Sequence, residues 1–388
     1  MRTLYFGGLL NTIQIHPRED GQLQAATITT MKKYKIAAVP GDGIGPEVID
    51  AGVEVLEALA SGNAGFKLDF EHFPWGGNYY RKHGEMMPED GVDTLRRFDA
   101  ILFGSAGDPD IPDHITLWGL RLKICQTLDQ YANVRPARLL PGIKGPLADV
   151  TADDLDWVIV RENSEGEYAG AGGRVHVGLP EEVGLDVSIF TRSGVERIQR
   201  FAFELARSRP RKKLTLVTKS NAQRHGMVFW DSVFERIKFD YPDVETDKML
   251  VDAMTTRMVL DPKSLDTIVA TNLHADVLSD LAAALTGSLG IAPTGNLRPE
   301  RDMPSMFEPI HGSAFDITGK GVANPIGTFW SSAMLLEHLG ETAAAARLMS
   351  AIERVTADGS VLPRDLGGSA TTRQVTDAVL AELSKGNT

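Results

Sequence analysis

Two carboxylates, Asp276 and Asp280, lie four residues apart in a segment with the pattern of a helix start. A short apolar strand at 268–270 precedes them, and leucines from Leu278 onward follow at spacings of three and four. Residues four apart project from one side of a helix, so the two negative charges are close together. A bound cation between them would relieve the repulsion. The alternative is that both are solvated and stabilised by the helix dipole, and the pair alone favours this simpler interpretation.

Three further polar residues, Arg161, Lys219 and Asn272, each follow a short apolar strand. Strands alternate along the chain with amphipathic helical segments such as 194–207, a pattern typical of an α/β fold with a largely parallel sheet. Ligands of such sheets bind beyond the carboxyl ends of the strands. We therefore expect a polar site assembled from several short segments.

Two glycine-rich segments are candidates for binding a nucleotide. The first, at 40–47, lies between a strand and a helix, but its glycines do not have the Rossmann spacing, and a tight structural turn is an equal alternative. The second, at 307–325, has small residues that would let backbone amides approach a pyrophosphate. Asp316 within it could accept hydrogen bonds from a ribose and would repel a 2′-phosphate, which favours NAD over NADP. The alternative for this segment is an ordinary surface loop.

Composition excludes several classes of function. The net charge of −12 argues against a general nucleic-acid binder. The chain has one cysteine, Cys125, so it can form no intrachain disulfide, which fits a cytoplasmic protein. No apolar run reaches the roughly 18–20 residues that a membrane-spanning helix needs, so no membrane partner is expected.

Residues 1–30 differ from the rest of the chain because they show no clear periodicity and few full charges. We predict a dispensable extension at 1–30, with the folded domain starting near Met31. A transit segment is the alternative, which the acidic residues and scarce arginines disfavour.

Several motifs in combination resemble the β-hydroxyacid oxidative decarboxylases, the family of isocitrate, isopropylmalate and tartrate/D-malate dehydrogenases. The motifs lie at 40–47, 131–136, 160–168, 219–221, 276–280 and 311–325. The resemblance implies an α/β, two-domain, isopropylmalate dehydrogenase-like fold that is not a Rossmann fold. Its large cofactor-binding domain would be discontinuous (31–130 with 287–388), and its small domain (131–286) would carry the dimer interface and an intersubunit arm near 170–190.

The resemblance also implies a divalent metal site. Asp252, Asp276 and Asp280 match the family's ligands for Mg²⁺ or Mn²⁺, ions that prefer hard carboxylate oxygens. Lys219, with Asp252 beside it as a catalytic group, matches the residue that helps to remove the C2 hydroxyl proton. Tyr168 matches the acid that protonates the enol carbon. A K⁺ requirement is a further candidate.

Arginines match the family's carboxylate clamps, since a guanidinium can bind a carboxylate through two parallel hydrogen bonds. Arg135 and Arg161 occupy the family positions. The family usually has another arginine ten residues before the first of them, and Cys125 stands there in this chain. Arg121, one helical turn earlier in a helical segment predicted at 117–131, is the replacement candidate for binding substrate.

The second glycine-rich segment matches the family's NAD-binding loop. Its candidate cofactor contacts are His311, Gly312, Ser313, Ala314, Asp316 and Asn324.

The resemblance implies an NAD-dependent enzyme, and features near Trp118 and Lys219 resemble the tartrate/D-malate branch. We expect oxidation of tartrate and oxidative decarboxylation of D-malate by a homodimer in which Lys219 and Asp252 enter the partner's active site. The alternative within the family is 3-isopropylmalate dehydrogenase, whose usual leucine pair is missing here. A non-catalytic nucleotide-binding protein is the alternative outside it, which the full set of carboxylates, Lys219 and Tyr168 disfavours.

Overall fold

The computed structural model describes residues 31–61 and 65–385, and the predicted extension at 1–30 lies outside them. Within the described ranges, no helix combines the length and the apolar composition that crossing a bilayer requires.

The strands of the described chain alternate with helices. The strands are β1 (Lys32–Gly41), β2 (Phe66–His72), β3 (Ala100–Ser105), β4 (Ala132–Arg138), β5 (Asp156–Glu162), β6 (Gly166–Val175), β7 (Val183–Ile189), β8 (Lys213–Thr218), β9 (Glu245–Leu250), β10 (Thr267–Ala270), β11 (Pro293–Leu297) and β12 (Ser305–Pro309). The helices are α1 (Gly45–Ser61), α2 (Gly77–His83), α3 (Gly91–Leu95), α4 (Asp113–Thr116), α5 (Leu122–Thr127), α6 (Arg192–Ser208), α7 (Gly226–Ile237), α8 (Val251–Leu260), α9 (Asn272–Leu285), α10 (Ile326–His338), α11 (Thr342–Asp358) and α12 (Thr372–Lys385).

Ten of these strands form one sheet in the order β2-β1-β3-β12-β11-β4-β5-β10-β8-β9. The first four are parallel to one another, and so are the last four. Between them, β11 is antiparallel to both neighbours and β4 to both of its own, so the two parallel groups run in opposite directions. The prediction of an α/β fold with a largely parallel sheet is confirmed.

The sheet is buried on both faces because successive residues of a strand point to opposite sides. In β1, Ile36 and Ala38 join a core formed with α1 and α10 to α12, whereas Ala37 and Val39 join a second core. Helices α6 and α7 cover β5, β8 and β10 in a third core around Phe203. These cores hold the sheet rigid beneath the polar residues at its centre.

One row of polar side chains crosses the central, antiparallel strands. Asn296 of β11 lies opposite Asn133 of β4, and Asn133 lies opposite Arg161 of β5. Opposed residues of antiparallel strands point to the same face, as do residues two apart on one strand, so Arg135 joins the row. The strand pairing therefore gathers groups that are far apart in the sequence.

The segment that carries Arg121 differs from the prediction. The predicted helix at 117–131 ends at Thr127, and it contains a π-helical turn over Leu117–Arg121, in which Leu122 N–H donates to the carbonyl of Leu117. Asp129 then adopts a left-handed backbone conformation, φ 48°, which no continuous α-helix permits. The helix therefore ends four residues before its predicted end, and β4 begins at Ala132.

A separate two-stranded ribbon, β6 paired with β7, stands apart from the main sheet. Its apolar side chains are exposed, with Val183 at 52% and Leu185 at 60%. An isolated two-stranded ribbon is only marginally stable in water. The ribbon matches the antiparallel segment predicted near 170–190.

Candidate functional site

A cleft of about 250 Å³ at the sheet centre is lined by most of the predicted site residues. Those residues are Arg121, Arg135, Arg161, Tyr168, Asp276, Asp280, His311 and Gly312. A larger depression of about 690 Å³ beside α12 has a single ionisable lining residue, Asp377, so it offers no comparable set of groups.

Hydrogen bonds to side-chain oxygens of neighbouring residues hold Arg161 and Arg135 in place. Arg161 Nε and Nη2 donate to Asn272 Oδ1 at 2.9 and 2.6 Å, and its Nη1 donates to Asp276. Arg135 Nε donates to Asn133 Oδ1 at 2.9 Å, and its Nη1 donates to Ser279 at 2.5 Å. Both guanidinium groups are nearly fully buried, so these bonds fix their orientation and compensate for lost hydration.

Arg121 reaches the cleft from the π-helical turn. Its Nε donates to Glu308 Oε1 at 2.8 Å, and its Nη2 lies 2.7 Å from the same oxygen. Burial lowers the pKa of the guanidinium, but the Glu308 charge more than offsets this, so the pKa lies above its ordinary value. Cys125 is fully buried in the core, and burial raises its thiol pKa to about 11. The cleft is therefore served by Arg121, while the cysteine is a neutral core residue.

The two helix carboxylates have different surroundings. Burial raises the pKa of Asp276, but the charges of Arg161 and Arg135 outweigh it and the pKa is lowered. Burial raises the pKa of Asp280, and in the described part of the chain no group donates a hydrogen bond to its carboxylate. Both residues supply hard oxygen donors, so their chemistry fits one side of a Mg²⁺ or Mn²⁺ site.

Tyr168 lies against both charged groups of this corner. Its hydroxyl is 3.4 Å from Asp276 Oδ2, and its ring faces the Arg161 guanidinium at 5.2 Å. Burial, followed by the Asp276 charge, raises the pKa of the phenol above its ordinary value. The hydroxyl is therefore protonated at neutral pH and can donate a proton.

Lys219 and Asp252 do not line the cleft. They form an ion pair of 2.6 Å with each other on the exposed side of β8 and α8. In residues 31–61 and 65–385, no three Asp, Glu, His or Cys side chains are close enough to hold a metal ion. Asp252, Asp276 and Asp280 are thus not brought together within one chain, and the assignment of Asp252 and Lys219 to a partner's site stays a prediction.

The predicted cofactor loop borders the cleft. Ser313 C=O accepts a hydrogen bond from Ile44 N–H at 2.8 Å, and a Cβ at Gly43 would lie 1.9 Å from that oxygen, so this position requires glycine. The first glycine-rich segment is therefore a tight turn that supports the second. Asn324 is buried and donates to Asp365 at 2.9 Å.

Elsewhere in the cofactor loop, the hydrogen-bonding capacity of a buried polar atom is not used. Among the described residues, the buried His311 Nε2 has no hydrogen-bond partner, and burial lowers the pKa of this imidazole, so it is neutral. Ala314 has a left-handed backbone, φ 41°, and Asp316 is exposed beside it. An unpartnered ring nitrogen next to the open Gly312 fits a bound nucleotide.

Sequence reasoning missed several residues that hold the site in place. Glu308 is the counter-ion of Arg121, Asn133 holds Arg135, and Asn296 lies between Glu308 and Asn133. Asn133 and Glu308 fall within or beside the recognised motifs, which was a usable signal. Asn296 lies outside the motifs and was detectable only from strand pairing.

Known proteins match almost the whole described chain. The family model "Isocitrate/isopropylmalate dehydrogenase" matches residues 35–379. The chain is 68% identical over 357 residues (92% of this chain, 98% of the relative) to a probable tartrate dehydrogenase/decarboxylase of Agrobacterium vitis. It is 51% identical over 356 residues (90% and 98%) to the D-malate dehydrogenase [decarboxylating] of Escherichia coli K12.

A solved structure shows the same architecture. The crystal structure of isocitrate dehydrogenase from Methylococcus capsulatus matches with a TM-score of 0.81 at 36% identity, covering 90% of this chain and 99% of that one. This likeness confirms the predicted isopropylmalate dehydrogenase-like, non-Rossmann fold. The chain belongs to the isocitrate/isopropylmalate dehydrogenase family and is a dehydrogenase by type.

Proposed function

We propose that this enzyme uses NAD to oxidise the C2 hydroxyl group of tartrate and of D-malate, and that it decarboxylates D-malate after oxidation. The observation that carries the proposal is the meeting of three arginines, two helix carboxylates and a tyrosine hydroxyl in one small cleft. The similarity to a probable tartrate dehydrogenase/decarboxylase and to a D-malate dehydrogenase supports the choice of substrate.

The charges of the cleft suit a small dicarboxylate. Its three guanidinium groups face three carboxylates, Asp276, Asp280 and Glu308, so the formal charges of these six groups balance. A divalent cation and a dianionic substrate would add equal and opposite charge, so the loaded cleft would stay neutral. Burial of charge is tolerable only when it is compensated in this way. An alkyl substituent would meet mainly charged and polar groups, which disfavours isopropylmalate.

The protein groups have separate roles in the proposed reaction. Arg121, Arg135 and Arg161 bind the substrate carboxylates and fix C2 near the cofactor loop. The partner subunit's Lys219 takes up the C2 hydroxyl proton while the hydride leaves to NAD. For D-malate, the carboxylate β to the new carbonyl departs as CO₂, and Tyr168 protonates the carbon atom that it leaves.

Asp276 and Asp280, with the partner's Asp252, would hold the divalent ion. When bound, Mg²⁺ or Mn²⁺ supplies a Lewis acid for the negative charge that develops on the substrate oxygen. Asp276 forms an ion pair with Arg161, so this carboxylate has a positive partner within its own chain. Arg161 would bind a substrate carboxylate in place of Asp276, which would leave Asp276 available to hold the ion.

The loop residues His311, Gly312, Ser313, Ala314, Asp316 and Asn324 would bind NAD. Asp316 is exposed in the middle of the loop, where its negative charge would repel a 2′-phosphate. This supports NAD over NADP.

Two observations on one chain support a homodimer with shared sites. The apolar face of the β6–β7 ribbon is exposed, as are Leu273 and Val277 on α9, and such surface is typical of an interface. Lys219 and Asp252 also lie outside their own chain's cleft. In the proposed dimer, the small domain (131–286) forms the interface. The discontinuous large domain (31–130 with 287–388) binds the cofactor.

The test is NADH formation with L-tartrate, meso-tartrate, D-malate, isopropylmalate and isocitrate, each with NAD or NADP and with or without EDTA. We expect EDTA-sensitive, NAD-dependent activity with tartrate and D-malate, and CO₂ release from D-malate. Activity confined to isopropylmalate would identify the rival dehydrogenase. Nucleotide binding without activity on any substrate would identify a non-catalytic protein.

A further inference from the structure

Asn296 connects the two arginines that enter the cleft from opposite sides. Its Nδ2 donates to Glu308 Oε1 at 2.8 Å, the oxygen that also binds Arg121. Its Oδ1 accepts a hydrogen bond from Asn133 Nδ2 at 2.7 Å, and Asn133 Oδ1 in turn accepts from Arg135 Nε. A continuous chain of buried hydrogen bonds therefore runs from one guanidinium to the other.

The orientation of the Asn296 amide is fixed by its neighbours. Its oxygen also accepts from Asn163 Nδ2 at 3.1 Å and from Arg121 Nη2 at 3.4 Å, while its nitrogen faces a carboxylate. A flipped amide would place donors against donors and an acceptor against the carboxylate. Asn296 is fully buried and does not line the cleft, so it acts on a ligand only through other residues.

The hydrogen-bond network around Asn296 leaves one edge of the Arg121 and Arg135 guanidinium groups available to a ligand. Arg121 uses Nε and Nη2 towards Glu308 and Asn296, and no described residue accepts from its Nη1. Arg135 uses Nε and Nη1, and no described residue accepts from its Nη2. Both long side chains are thus immobilised before a substrate arrives, which lowers the conformational entropy lost on binding.

We infer that Asn296 is a positioning residue that couples Arg121 and Arg135, through Glu308 and Asn133, into one preformed clamp for the two carboxylates of the substrate. The inference rests on the proposed function because it takes the ligand to be a dicarboxylate. It predicts that substrate affinity, rather than the chemical step, depends on an amide that the substrate never touches.

The test compares Asn296→Leu with the parent enzyme in the presence of the metal. Leucine has a similar size and removes every hydrogen bond of the amide. We expect the KM for L-tartrate or D-malate to rise at least about tenfold, as for the loss of buried hydrogen bonds to charged groups, with kcat changed less than about threefold. The KM for NAD should not change, and calorimetric titration with L-tartrate alone should show the same loss of affinity.

Gln199→Leu is the matched control, because Gln199 is also a fully buried amide, bound to the carbonyl of Trp230 at 3.0 Å and remote from the cleft. It should lower the Tm while leaving the substrate KM unchanged. If Asn296→Leu fails to fold, Asn296→Ser is the second test, because its short uncharged side chain cannot bond both Glu308 and Asn133, and it should also raise the substrate KM.

An unchanged substrate KM and an unchanged L-tartrate affinity in a folded Asn296 variant would overturn the inference. An equal fall of kcat for every substrate would do so as well. Failure of the proposed function is a separate result, since it is read from the parent enzyme across the substrate panel.

Discussion

Arg121 and Glu308 form a largely buried ion pair, with Nη2 and Oε1 2.7 Å apart, between a π-helical turn and strand β12. The pair joins segments 187 residues apart in the sequence and places a guanidinium where Cys125 cannot contribute one. Because both side chains have little access to water, each charge is stabilised mainly by the other.

Removal of both members of this pair should destabilise the fold by less than the sum of the two single removals. We expect Arg121→Met and Glu308→Met each to lower the free energy of unfolding by about 3–5 kcal/mol, because either leaves a buried charge without a partner. The double variant should lose clearly less than the sum of the two. Urea unfolding of the parent and the three variants gives the coupling, and strictly additive losses would contradict the pairing.

The metal site makes Asp276 a sensitive position. Asp276→Asn should raise the Mn²⁺ concentration for half-maximal activity at least about tenfold, since an amide is a weaker ligand for a hard ion. Binding of Mn²⁺ can be measured directly by its electron paramagnetic resonance signal. Asp377→Asn is the matched control, because Asp377 also pairs with an arginine but lies on the exposed face of α12. Identical metal titrations of both variants would remove Asp276 from the ligand set.

His338, at the end of α10, should make the free energy of unfolding depend on pH below neutrality. Burial, with a smaller effect of Arg301, lowers the pKa of the imidazole to about 4. The unfolded chain, with a pKa near 6.5, binds a proton first as pH falls, so stability is complete above pH 6.5 and declines towards pH 4. The loss from this group at pH 5 is about 2 kcal/mol.

His338→Phe should remove that part of the decline while keeping a ring against Phe307, whose centroid lies 5.5 Å away. Urea unfolding at pH 7 and pH 5 measures the difference for each protein. The control is His72→Phe at an exposed histidine of β2, which should reproduce the parent's decline. An equal decline in His338→Phe would mean that other groups cause it.

The parts of the site that the sequence predicted are those encoded locally. The spacing of Asp276 and Asp280 fixes their common side of α9, and the position of Arg161 near the end of an apolar strand predicted its location. Motif resemblance added Arg135 and Tyr168, which the structure places in the same cleft.

The remaining parts depend on long-range pairing that no local pattern encodes. Asn296 meets Asn133 only because β11 inserts antiparallel between β12 and β4, and β11 carries no signal for that position. Arg121 points into the cleft from a π-helical turn, whereas the periodicity of the segment predicted a regular helix ending at Tyr131. The ion pair between Arg121 and Glu308 was likewise recognisable only from the three-dimensional structure.

The proposed sharing of active sites has a decisive test in mixed dimers. At a Mn²⁺ concentration near the half-maximal value of the parent, the Asp276→Asn and Asp252→Asn homodimers should each show little activity, because every site then lacks one carboxylate. In a hybrid dimer, one site carries both substitutions and the other carries neither, provided that Asp252 serves the partner's cleft. After unfolding and refolding an equal mixture, half of the dimers are hybrids and half of their sites are intact, so about a quarter of the parent activity should return. Should Asp252 instead serve its own chain's cleft, every site of the hybrid would lack one ligand and the mixture would stay inactive.

Refolded parent enzyme sets the recovery, and the mixture of Asp377→Asn with Asp252→Asn controls for simple dilution. That control mixture also contains hybrids with one defective site, so it should show about half of the parent activity whether sites are shared or not.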